Sequence, residues 1–267
     1  MEKEVSDKIK PLAVVTGASS GIGYELAKVF AKNGFDLLVI AEDPGIVDAG
    51  NAFRALGVNV ETLQADLSMY SEVQKACDKI DSLGASVEAI AMNAGFGTCG
   101  DFVDTDLDTE LRMIGVNNAS LVHMTKRVLP RLIKQGHGRI LYTSSVAATM
   151  PGPYYAVYAA TKAFVQSFSE AIRAEVKDKG ITVTALQPGP TDTNFFERAH
   201  MMDTKAGQGK KDDPAQVAEE GFAALMSGKD HVIAGSFMNT VQAKMANFMT
   251  APQGAAAQGA QTKPQHR

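Results

Sequence analysis

Apolar positions along the chain follow two alternating rhythms. Short, nearly continuous apolar runs fall at residues 12–16, 35–40, 58–63, 87–92, 139–143, 181–187 and 231–234. Between most of them the pattern turns helical, at 24–32, 46–56, 71–83, 107–129 and 154–177, with Leu26, Val29 and Phe30 sharing one face of the first. Continuous apolar strands separated by amphipathic helices predict βαβ units and a sheet buried on both faces. The expected fold is α/β, one doubly wound domain with a mostly parallel sheet, spanning 12–235.

Three segments stand outside that rhythm. Residues 1–11 read as an N-terminal extension. Residues 189–213 are too long for an ordinary connection and carry Phe195, Phe196, Met201 and Met202, which predicts a lid. Beyond the sheet, residues 236–250 hold a helical pattern over 239–249, and the low-complexity stretch 251–267 is expected to be a flexible tail.

Composition narrows the function classes. A net charge of −4 offers no basic face for nucleic acid, and a small-molecule partner fits better. No apolar run is long enough to span a bilayer, and the charge-alternating start does not read as a signal peptide. Two cysteines without ligand spacing argue against a disulfide framework or a metal site. A cytoplasmic protein without membrane, nucleic-acid or metal partners is expected.

Candidate chemistry begins after the first strand, at Thr16-Gly17-Ala18-Ser19-Ser20-Gly21-Ile22-Gly23. Its spacing is G-x-x-x-G-x-G rather than G-x-G-x-x-G, but the logic is shared. Glycines allow a tight turn, and the following helix N-terminus offers N–H groups to a pyrophosphate. A plain glycine-rich turn is the competing reading. Its position at the carboxyl end of a strand favours a ligand.

Half of the six tyrosines crowd into Tyr154, Tyr155 and Tyr158, just before Lys162. Tyr158 and Lys162 lie four apart, hence on one helical face about 6 Å apart along the axis. A phenol near pKa ~10 is a poor acid–base group at neutral pH, and a neighbouring ammonium would lower that value. A purely structural pair is the alternative. Pro153 predicts a helix start that places Tyr154 and Tyr155 in the first turn.

Taken in order, these motifs resemble the short-chain dehydrogenase/reductases. TGASSGIG is followed by Asp66-Leu67, Asn93-Ala94-Gly95, Asn117, Ser145, Tyr158 with Lys162, and Pro188-Gly189-Pro190-Thr191-Asp192-Thr193. The resemblance runs from about residue 12 to 193 and implies a Rossmann fold and an NAD(P)-dependent oxidoreductase. It implies a catalytic set of Asn117, Ser145, Tyr158 and Lys162, with Tyr158 as acid/base and Asn117 holding a water in a relay to Lys162. The family's serine precedes its tyrosine by thirteen positions, which selects Ser145 over Ser144.

For the cofactor, the resemblance implies contacts from Gly17, Ser19, Ser20, Gly21, Ile22, Gly23, Asp66, Leu67, Asn93, Ala94 and Gly95. Tyr158, Lys162, Pro188, Gly189, Thr191 and Thr193 would hold the nicotinamide half. Glu42, at the end of the second strand, either accepts from ribose hydroxyls or starts a solvated helix with Asp43. With no basic residue there to meet a 2′-phosphate, NAD is expected over NADP.

Phe96, Tyr154, Tyr155, Phe195 and Phe196 are the candidate substrate neighbours, for an apolar ketone, aldehyde or secondary alcohol. A homodimer or homotetramer is expected, the dimer through the helices around Asn117 and Tyr158. The competing functions are a catalytically silent dinucleotide sensor and a nucleotide-sugar epimerase or dehydratase.

Overall fold

A computed structural model describes residues 10–246 and 248–265. Most of the expected N-terminal extension and the last two residues of the tail lie outside the described residues.

Seven parallel strands form one sheet in the order β3-β2-β1-β4-β5-β6-β7. They are β1 Leu12–Thr16, β2 Asp36–Ala41, β3 Val60–Gln64, β4 Val87–Met92, β5 Gly138–Thr143, β6 Ile181–Pro188 and β7 His231–Ala234. Each predicted strand is present, with ends shifted by a residue or two. The helices between the strands are α1 Gly21–Lys32, α2 Ile46–Arg54, α3 Tyr70–Ser82, α4 Leu107–Ile114, α5 Ser120–Gln135, α6 Ala156–Val176 and α9 Pro214–Met226. Two single turns, α7 Phe195–Arg198 and α8 Lys205–Gln208, lie in the predicted lid, and α10 Phe237–Ala246 and α11 Ala251–Thr262 follow β7.

Strand alternation divides the core between two faces. Ala13, Val15, Leu37 and Val39 meet Leu26 and Phe30 of α1, Phe53 of α2 and Val217 of α9. Leu12, Val14, Leu38 and Ile40 meet Val73 of α3, Met124 of α5 and Val165 of α6. Burial on both faces is why the strands read as unbroken apolar runs. The order reverses between β1 and β4, and the crevice at their carboxyl ends is the place for a ligand. Among the described residues no helix is long and apolar enough to cross a membrane.

Three local expectations change. The helix expected at 107–129 is interrupted by a wide π-type turn, Gly115–Ala119, between α4 and α5. Such turns widen a helix by one residue and aim a side chain inward; here that side chain is Asn117. Tyr154 and Tyr155 do not enter the first turn of α6. Tyr154 sits at φ 67° with its carbonyl accepting from Gly100 N at 2.7 Å, and Tyr155 is the helix N-cap. The stretch expected as a flexible tail forms α11. Its start is fixed by a reciprocal cap between Thr250 and Gln253, with Pro252 in the first turn and alanines behind it.

Candidate active site

The glycine turn is as tight as its composition suggests. Gly17 takes φ 68°, its N–H donates to Ile40 O at 2.7 Å, and a Cβ there would lie 2.9 Å from Ala94 Cα. Gly21 takes φ 58° and faces the Thr193 side chain, and a Cβ on Gly23 would lie 2.1 Å from Gly17 O. Ser20 caps α1 without a side-chain bond, and the first turn has no acidic residue. The N-terminal N–H groups of α1 therefore face a cleft suited to an anion.

Asn93 locks this turn to the neighbouring strands. Its backbone N–H and that of Ala94 donate to Thr16 Oγ1, both at 3.0 Å. Its Nδ2 donates to Thr16 O at 3.2 Å, and Thr143 Oγ1 donates to its Oδ1 at 3.1 Å. Asn93 thereby ties β1, β4 and β5 at the switch point.

One continuous cavity of about 1090 Å³ runs along the carboxyl edge of the sheet. Nearly every residue expected to touch a cofactor lines it, from Gly17, Ser19, Ser20, Gly21 and Ile22 through Glu42, Asp66, Leu67, Asn93, Ala94 and Gly95 to Tyr158, Lys162, Pro188, Gly189, Thr191 and Thr193. Gly23 and Asn117 stand behind its wall. The volume of the cavity, the glycine cradle and the bare helix N-terminus fit a dinucleotide.

At the far end of the cavity, Arg112 of α4 pairs with Glu42 and reaches Asp66 Oδ2 at 3.3 Å. Its guanidinium lies over the Phe96 ring, 5.6 Å from the centroid. Burial alone would raise the Asp66 carboxyl, but hydrogen bonds from Ser68 and the Arg112 charge outweigh it and hold the group below its ordinary value. A basic residue does therefore stand at this end, which removes the premise on which NAD was expected. It was illegible in sequence because Arg112 is 70 positions from Glu42 and only the strand order joins them.

At the opposite end, Ser145 follows β5 and Tyr158 stands on α6, with the Ser145 hydroxyl close enough to the phenol to favour its charged form. Ser145 Oγ also accepts from Ala147 N at 3.1 Å. Ser144 points the other way and donates to Lys162 O at 3.0 Å. Lys162 is buried, donates from Nζ to Thr143 O at 2.8 Å, and lies 5.8 Å from the Tyr158 ring centroid.

Burial pushes the Tyr158 phenol up to about 12, against the opposing pull of the nearby Ser145 hydroxyl. Burial pushes Lys162 down to about 8. The expected lowering of Tyr158 by its lysine is thus not a property of the chain alone, because desolvation dominates both groups.

Asn117 reaches in from the π-type turn. Its Oδ1 accepts from Phe96 N at 3.1 Å, and its Nδ2 donates to Phe96 O and Thr161 Oγ1, both at 3.0 Å. Its donors are used within the protein, which leaves part of the acceptor oxygen. A Cβ on Gly95 would lie 2.9 Å from that oxygen and 3.3 Å from Lys162 Nζ, so the glycine keeps the gap between them open.

The predicted substrate neighbours separate into three groups. Tyr155 stacks on Tyr158 at 5.8 Å, and Phe195 of α7 approaches it at 5.1 Å, with Phe196 buried behind. Phe96 turns its ring to Arg112 instead. Tyr154 packs with Cys99, Phe196 and Met201 behind the cavity wall. Sequence reading missed Met150, Met245 and Met249 on the apolar side, and Gln258, Gln261 and Thr262 of α11. A low-complexity composition gave no sign that α11 would close over the site.

A family model described as short chain dehydrogenase matches residues 11–203. Over 237 residues the chain is 32% identical to Dehydrogenase/reductase SDR family member 7B of Bos taurus, covering 83% of this chain and 72% of that one. Its fold is similar to a short-chain dehydrogenase from Sphingobium yanoikuyae in complex with NADPH, with TM-score 0.78, 29% identity, and 84% and 87% of the two chains covered. It is also similar to the bulky-bulky ketone specific alcohol dehydrogenase from Comamonas testosteroni, with TM-score 0.76, 25% identity, and 89% and 92% covered.

Proposed function

The chain belongs to the short-chain dehydrogenase/reductase family and is an NAD(P)-dependent oxidoreductase, and from that premise we propose that Tyr158 exchanges the proton at the substrate oxygen. One observation carries the reading. The Tyr158 phenol, beside Ser145 and with Lys162 beneath it, opens into the same cavity as the glycine turn.

When bound, the nicotinamide supplies or accepts the hydride. The chain's own residues do the rest. Ser145 hydrogen-bonds the substrate oxygen while Tyr158 gives it a proton in the reductive direction. Lys162, kept charged below about pH 8, favours the resulting phenolate. Asn117, fixed by Phe96 and Thr161, offers its remaining acceptor capacity to a water between itself and Lys162, in space that Gly95 leaves open.

NAD is the proposed preferred cofactor, on a different ground from the sequence. Arg112 is shared by two carboxylates, Glu42 and Asp66, so this end keeps a net negative charge and disfavours a 2′-phosphate. The proposed substrate is a bulky apolar ketone or secondary alcohol, suggested by Met150, Tyr155, Phe195 and Met201 along the cavity. The ketone-specific relative supports that class. A homodimer is proposed through α4 and α6, which expose Leu107 (68%), Leu111 (56%) and Phe164 (42%).

The test is Tyr158→Phe, with dinucleotide affinity and turnover measured on a carbonyl and alcohol panel with both cofactors. Retained affinity with turnover nearly abolished supports the assignment. Turnover at the wild-type level would remove Tyr158 from the chemistry, and a wild-type chain that binds dinucleotide but converts nothing would favour the sensor.

A further inference from the structure

Helix α11 lies across the substrate half of the cavity and is held there by three separate loops. Thr262 Oγ1 donates to Pro153 O at 2.8 Å, Cys99 Sγ donates to Thr262 O at 3.5 Å, and Gln265 N donates to Asp203 O at 3.1 Å. Those partners belong to the loop before α6, the loop after β4 and the lid. Close approach depends on a small residue, since a Cβ on Gly254 would lie 3.0 Å from Met150 Cγ. Gly254, Ala257, Gln258 and Gln261 share one helical face, and the last three line the cavity.

What this face offers a substrate is specific. It carries no charged side chain, and its bulk is limited to methyl groups and two amides. The Gln258 side chain lies beside Tyr155, which in turn stacks on Tyr158 at 5.8 Å. The Gln258 amide carries two donor and two acceptor positions, and Gln261 adds a second amide one turn on. The same cavity is lined by Met150, Phe195 and Met201, and by Lys205 and Lys210 of the lid. A mostly apolar wall that carries two amides selects by leaving those amides unmatched when a substrate lacks a polar group.

We propose that α11 is the specificity element of this site: Gln258 and Gln261 recognise an uncharged hydrogen-bonding group, such as a hydroxyl, at the distal end of a bulky apolar ketone. The inference rests on the oxidoreductase reading above and names the substrate that site takes.

The test compares para-ethylbenzophenone with para-(hydroxymethyl)benzophenone, which differ chiefly in one hydroxyl. Wild-type kcat/KM should favour the hydroxymethyl compound by about tenfold, the worth of one well-placed hydrogen bond. The Gln258→Leu, Gln261→Leu double variant should erase that preference, mostly through KM for the hydroxymethyl compound, so that the ratio of the two kcat/KM values falls to about one. No wild-type preference, a preference that survives the double variant, or an equal loss on both ketones would each overturn the proposal. Should the double variant fail to fold, Ala257→Leu narrows the same wall. It should raise KM for both benzophenones more than for cyclohexanone, and an equal effect on all three ketones counts against the proposal. Calorimetric binding of the pair to the wild-type chain with NAD(H) present separates the two readings. A binding preference without turnover sinks the oxidoreductase reading alone, whereas turnover without a preference sinks this one alone.

Discussion

Asn117 and Thr161 meet side chain to side chain, with Asn117 Nδ2 donating to Thr161 Oγ1 at 3.0 Å, and the Thr161 hydroxyl donates in turn to Tyr158 O at 2.7 Å. The π-type turn is thereby tied to the helix that carries the proton donor. Asn117→Leu would strip both Phe96 backbone groups of their partner and should destabilise the fold by about 2–3 kcal/mol. A urea midpoint that falls at unchanged m would register the loss. A midpoint equal to wild type would mean that Asn117 is not what holds this loop.

Cofactor choice should respond to Arg112. In Arg112→Met, Glu42 and Asp66 lose their shared cation, and the added negative charge should weaken NADP(H) binding more than NAD(H) binding. A change of about tenfold in the ratio of Kd values is expected at low salt, shrinking as salt rises. Glu42→Gln should move the ratio the other way. If both variants leave the ratio unchanged, neither residue discriminates between the cofactors.

Burying Lys162 should leave a signature in stability against pH. Its folded pKa of about 8 lies below the ordinary 10.5, so between those values the unfolded chain binds more protons than the folded one. The burial cost is therefore full below pH 8 and is relieved as pH rises toward 10.5. Lys162→Met should be more stable than wild type near pH 7, with the gap closing by pH 10. Thermal melts of the cofactor-free proteins at pH 7 and pH 10 measure this, and a gap that is constant or widens would contradict the burial argument.

Gly17→Ala tests the cradle. The backbone there is left-handed, and the added methyl would meet Ala94 Cα, so strain of about 1–3 kcal/mol is expected. Because the strain falls on the turn itself, dinucleotide affinity should drop further than the melting temperature suggests. Unchanged affinity would show that the cleft does not depend on this turn.

Much of this protein was legible because its signals are local. The strand runs, the glycine turn and the spacing of Tyr158 to Lys162 depend on periodicity and on neighbours within one turn. The order of the motifs placed them on successive carboxyl ends of one sheet. Alternation along an extended segment sends Ser144 and Ser145 in opposite directions, but the choice of Ser145 came from the family's spacing to its tyrosine.

By itself, then, the chain's pattern determined a doubly wound parallel sheet, the cleft at its switch point and the family to which its chemistry belongs. Only the tertiary structure decided that Arg112 faces Glu42 and Asp66, that Asn117 leaves a widened turn, and that α11 roofs the substrate side. Those outcomes rest on contacts between distant segments, and an alanine- and glycine-rich stretch acquires a role only when a surface such as Met150 and Pro153 is there to receive it. The same distinction applies to the proton donor: a sequence shows an ammonium four residues from a phenol, but only the folded interior shows that desolvation outweighs their attraction.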